Sequence, residues 1–155
     1  MRTLHTGKHQ GGMILLVVIL FIAVSSVASS ALVVSHETES RRQREEQLLF
    51  AGDQFRQAIQ RYYNTVPPGG TRSLPRSLDD LIEDRRFTVP VRHLRRIYLD
   101  PMTGRADWQF VNAGQGIIAV HSSSQREVLK TRGFPKGYEQ FEGARTYADW
   151  IFAAR

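Results

Sequence analysis

The chain has 155 residues, with 21 lysines and arginines against 15 acids, a net charge of +6 and no cysteine. That length leaves room for one modest domain beside a long apolar segment, not for two, and the missing thiols exclude disulfides and thiolate metal sites while permitting an oxidising compartment. Bases sit among acids, as in Glu83-Asp84-Arg85-Arg86, and no basic stripe interleaved with aromatics occurs, so a solvated mixed surface is expected rather than a nucleic-acid interface.

Residues 1–12 form a short basic leader with Arg2, Lys8, His5 and His9, ending in Gly11-Gly12. Residues 13–34 carry no charge. A bilayer core about 30 Å thick needs roughly 20 apolar residues in a helix, which predicts a transmembrane helix over 13–34. A secretory signal has a shorter apolar region and places its small-residue cleavage site after it. Here the small pair comes first, so a cut between Gly12 and Met13 would remove only the leader and lower the net charge to +4. Within the apolar run, Ser25, Ser26, Ser29 and Ser30 form a small-residue stretch. It either allows close helix approach or bonds back to its own helix carbonyls.

From residue 35 to 63 there is no proline and one glycine, Gly52, which predicts a helical continuation over 35–66. The segment HETESRRQREEQ suits an exposed helix, with Glu39 and Glu37 spaced to pair with Arg42 and Arg41. Ala51, Phe55, Ala58, Ile59 and Tyr62 then recur at helical intervals as one apolar face. A helix from 13 to 63 would be about 75 Å long. Pro67-Pro68-Gly69-Gly70 ends it.

The remainder, 67–155, reads as a small globular α+β head. Ser77 followed by Leu78-Asp79-Asp80 predicts a helix N-cap with acids in the first turn. Asp100-Pro101-Met102-Thr103-Gly104 predicts a turn. Strands are predicted over 108–111 and 117–121, joined by Asn112-Ala113-Gly114-Gln115-Gly116, with a third over 147–152. Trp108, Phe110, Trp150 and Phe152 are expected to face the core.

The basic leader, Gly12, Met13 and the unbroken apolar run behind them resemble the N-terminus of type IV pilins and type II secretion pseudopilins. Leu74-Pro75-Arg76-Ser77-Leu78-Asp79-Asp80-Leu81, then Leu94-Arg95-Arg96-Ile97 and the Asp100-Pro101 turn leading to Trp108, resemble the head of major-pseudopilin-like proteins. The resemblance implies an α+β fold in which a long N-terminal helix, transmembrane in its first half, packs on a small antiparallel β-sheet head. It implies prepilin peptidase cleavage after Gly12 and methylation at Met13, with other pseudopilins and an inner membrane assembly platform as further partners. It also implies a single-pass inner-membrane protein with a cytoplasmic N-terminus and a periplasmic head. Charge counting does not orient the span independently, since Arg2 and Lys8 precede it while Arg41, Arg42 and Arg44 follow. The expected function is a subunit of a periplasmic filament that assists protein export through helix-mediated assembly, at positions including Val17, Ser25, Ser26 and Ser29. Val17 departs from the family's glutamate at the fifth mature position, which points to a minor or tip-located subunit. The C-terminal third lacks the family's calcium loop, so no metal site is expected.

The chemistry-bearing residues do not assemble into an enzyme signature. His93 and His121 lack a paired acid at ligand spacing, Ser122-Ser123-Ser124 lacks a nucleophile elbow, and Gly114-Gln115-Gly116 joins two strands instead of opening a helix. No cofactor is implied. The alternatives are a single-pass accessory or signalling protein with a periplasmic binding head, and a minor type IV pilus subunit.

Overall fold

The computed structural model describes residues 10–154, with side chains described for 12–22 and 37–154. The chain divides into two compact units, Met1–Ser40 and Arg41–Arg155. Helix α1, Gln10–Asn64, contributes to both.

In the first unit every described residue is helical. Among the described residues no helix is long and apolar enough to cross a membrane. This overturns the expected transmembrane first half of the helix, and with it the single-pass inner-membrane placement with a cytoplasmic N-terminus and periplasmic head. Among the described side chains the apolar run covers 13–22, which rises about 15 Å at 1.5 Å per residue, half of what a hydrocarbon core of about 30 Å requires.

The second unit is an α+β domain. Its part of α1 buries Leu48, Ala51, Phe55, Ala58, Ile59 and Tyr62, the face that three- and four-residue spacing predicts. The helix stops at Asn64, ahead of Pro67-Pro68. Helix α2, Asp79–Ile82, is a single turn that buries Leu81. The residue directly before it is Leu78, but Ser77 caps the turn as expected: its Oγ accepts the Asp80 amide at 3.4 Å while the Asp80 carboxylate accepts the amides of Arg76 and Ser77 at 2.8 and 3.0 Å.

Strands β1 (Gln109–Ala113), β2 (Gly116–His121) and β3 (Phe152–Ala153) form an antiparallel sheet in the order β1-β2-β3. β1 and β2 are a hairpin whose turn places Gly114 at φ +63, a conformation that glycine adopts without steric cost. A register irregularity between Val111 and Asn112 interrupts the pairing. β2 is the central strand, burying Ile117, Ala119 and Val120.

Two expectations about the strands need correction. The third strand is only two residues long, because Tyr147–Asp149 forms a 3-10 turn. There the Asp149 carboxylate accepts the Thr146 amide and hydroxyl at 2.8 and 3.0 Å, a reciprocal cap that favours a helical turn over an extended chain. Phe110 also faces outward, at 44% exposure. Trp108, Trp150 and Phe152 are buried as expected. The last two join an aromatic cluster in which the Phe141 and Trp150 rings stack 5.6 Å apart and Phe152 meets Tyr138 and Phe141 edge-on.

Candidate assembly surface

The sequence-predicted processing and assembly residues begin within the first turns of α1. Gly12 and Met13 are helical, so the proposed scissile bond lies inside the helix rather than ahead of it. Gly11 and Gly12 both fall in the first turn of α1. A Cβ added at Gly12 would meet nothing within 4 Å. Space in this chain does not dictate glycine there.

Behind Gly12, the side chains of residues 13–22 are all exposed, from 47% at Val18 to 72% at Phe21. They are apolar on every side of the helix, including Val17 at 58%. A helix that faces water has one polar face; one that is apolar all round is built to be covered. Ser25, Ser26 and Ser29 fall on α1 but outside the residues whose side chains are described. The leader residues 1–9 lie outside the described residues as well.

In the second unit the buried polar groups close on loops. Glu45 is 3% exposed and its Oε1 accepts the amides of Leu129 and Lys130 at 2.6 and 3.1 Å and the Tyr147 hydroxyl at 3.0 Å. Nearby, Arg41 donates to the Glu127 carbonyl at 2.7 Å. A helix-face reading of the charged segment treats Glu45 as solvated and misses this role; a carboxylate has no sequence signal for burial when its donors are backbone amides.

Asp84 is fully buried. It accepts from Arg86 Nε at 2.8 Å and Nη2 at 2.6 Å and lies 3.0 Å from His93 Nε2. Burial raises its pKa, but the hydrogen bonds from Arg86 and His93 outweigh that and hold the carboxyl down at about 2. The same guanidinium donates to the carbonyls of Tyr62 and Thr65 at 2.8 and 3.1 Å and lies 3.6 Å from the Tyr62 ring centre. Carbonyls at a helix C-terminus lack intrahelical partners and favour a cation. Asp84 thus orients Arg86 as the cap of α1. The Glu83-Asp84-Arg85-Arg86 run is therefore not simply a solvated surface, and His93 does have an acid partner, brought by the fold.

Ser122 Oγ donates to Asp100 Oδ2 at 2.6 Å, while Asp100 Oδ1 accepts the Met102 amide at 2.8 Å. The Asp100 backbone closes the predicted turn through bonds with Gly104 and Arg105, both 2.7 Å. His121 points its Nδ1 at the Ser122 carbonyl, 3.0 Å away. Among the described residues no imidazole is placed to take the Ser122 proton, and the arrangement locks the turn onto the end of β2. Among the described residues no group of His, Asp or Glu is positioned to hold a metal ion.

Comparisons with protein families, with curated proteins and with solved structures find no match to this chain.

Proposed function

We propose that this chain is a pilin-like subunit, of the pseudopilin kind found in type II secretion, that acts by packing the N-terminal part of α1 against the corresponding helices of other subunits in a filament assisting protein export. The observation that carries this reading is the run of exposed apolar side chains over 13–22, placed directly behind the Gly11-Gly12 junction. Burying one such side chain is worth about 1.5–3 kcal/mol, so ten of them favour association strongly once partners are present. The only chemistry the reading requires is removal of the leader by a prepilin peptidase.

Val17 refines the role. A glutamate in an apolar helix bundle is tolerated when a neighbour's positive terminus lies beside it. Val17 avoids that desolvation cost and gives up the register-setting contact. The chain therefore joins filaments built by other subunits, at the tip or as a minor component, and does not polymerise readily alone. Cysteines introduced singly over 13–22 test this in cells. Discrete cross-links to other pilin-like subunits are expected. Long ladders of self-adducts formed without such subunits overturn the minor-subunit role, and an absence of any adduct overturns the assembly reading.

A further inference from the structure

A second surface lies in the Arg41–Arg155 unit. Phe50 projects from α1 at 57% exposure and Leu99 stands at 58%. Between them Tyr98 meets Phe50 edge-on, with ring centres 5.8 Å apart. Together with Ile97, Pro101 and Arg96 they line an open groove of about 490 Å³. Its floor is rigid. Trp108 Nε1 donates to the Tyr98 carbonyl at 2.9 Å, Phe55 packs edge-on against both Tyr98 and Trp108, and the buried Asp100 turn fixes the next residue.

Arg96 lines the groove, Arg92 and Arg95 of the same segment are exposed, and the segment 91–99 contains no acid, while the helix wall carries one exposed acid, Glu46, a turn before Phe50. The ion pairs of the described residues use other arginines and His93; Arg96 only overlies the Tyr98 ring, 5.2 Å from its centre. Among the described residues, neither Ile97 nor Leu99 makes a backbone hydrogen bond. An apolar, aromatic-floored groove with rigid anchors is the composition of a binding hot spot, and unpaired arginines at its edge select for negative charge.

We infer that this groove docks an acidic segment of another protein, with an aliphatic or aromatic side chain entering beside Tyr98 and flanking carboxylates engaging Arg95 and Arg96. Nucleic acid is the poorer fit, because the two aromatic rings stand edge-on to each other and share the lining with aliphatic Ile97, Leu99 and Pro101, which offer a base no stacking plane. The inference stands apart from the assembly reading, since it uses none of residues 13–22.

The test uses the full chain in mild nonionic detergent, which covers the apolar residues 13–22. The probe is a short fluorescent peptide in which aspartates and glutamates flank a phenylalanine and a leucine. Saturable binding that weakens with salt is expected, with a loss of about tenfold or more in R95E/R96E and in Phe50→Ser. All three side chains are exposed, and unchanged circular dichroism confirms that the variants fold. A peptide with lysines in place of the acids should bind R95E/R96E better than it binds the wild type. Equal binding of acidic and basic peptides to the wild type overturns the inference, as does binding indifferent to both variants. So does single-stranded DNA that displaces the peptide as well from Phe50→Ser as from the wild type. An oligomer of the chain that Phe50→Ser dissociates would assign the groove to a second copy and likewise overturn it.

Discussion

Glu45 and Tyr147, 102 residues apart in sequence, meet through a 3.0 Å hydrogen bond from the phenol to Oε1. The same oxygen accepts two consecutive amides, of Leu129 and Lys130, so one helical carboxylate gathers the irregular C-terminal segment onto α1. Glu45→Ala leaves three donors without their acceptor. Hydrogen bonds to charged groups are worth about 1.5–3 kcal/mol each, with unsatisfied donors adding a desolvation penalty. The variant should lose about 3 kcal/mol, read from urea unfolding followed by the fluorescence of Trp108 and Trp150. Glu45→Gln keeps an acceptor oxygen and should lose less than half as much. Equal losses would show that the site needs the charge rather than the acceptor.

Acid unfolding should report on Asp84. Its folded pKa of about 2 lies below the ordinary 3.8, so the group contributes stability that is fully present above pH 3.8 and is lost as pH falls through 2. The difference corresponds to roughly 2 kcal/mol. Asp84→Asn should lower stability at neutral pH by about 3 kcal/mol, because Arg86 loses its buried partner, and should flatten the acid limb of the stability profile. An unchanged acid limb in the variant would assign that limb to other carboxyls.

Gly52 sits where α1 passes the ring of Phe152. A Cβ there would lie 2.4 Å from two ring carbons, and Phe152 is itself fully buried. Alanine raises helix propensity by about 1 kcal/mol, but overpacking a filled core costs about 1–3 kcal/mol. Gly52→Ala should therefore destabilise the domain despite improving the helix. Phe152→Leu should recover part of the loss in the double variant, the signature of a direct clash. A more stable Gly52→Ala would mean that β3 shifts at little cost.

Processing between Gly12 and Met13 is expected in cells with an active prepilin peptidase, leaving Met13 as the first residue by mass spectrometry. Gly12→Val should block it. Because the added side chain meets nothing within 4 Å at its Cβ, a block reflects the peptidase's need for a small residue and not a misfolded substrate. Recovery of wild-type chains with residues 1–12 still attached would remove the basis for the pilin reading.

The sequence by itself determined the features whose causes are local. The 51, 55, 58, 59, 62 spacing marks the buried face of α1, Pro67-Pro68 its end, the Asp100 turn its own closure, and the glycine loop the β1–β2 hairpin. Each depends on backbone preferences or periodicity within a few residues. Tertiary structure decided the rest. It buried Glu45 and Asp84, which read as solvated charges, because their donors arrive from segments remote in sequence or from a loop folded back on itself. It turned Phe110 outward and shortened β3, since a cap between Thr146 and Asp149 competes with strand pairing. It also brought Phe50 beside Tyr98, an apolar residue out of phase with the core face of its helix. Periodicity tells which side chains leave the core; only the packing of distant segments decides what they then meet.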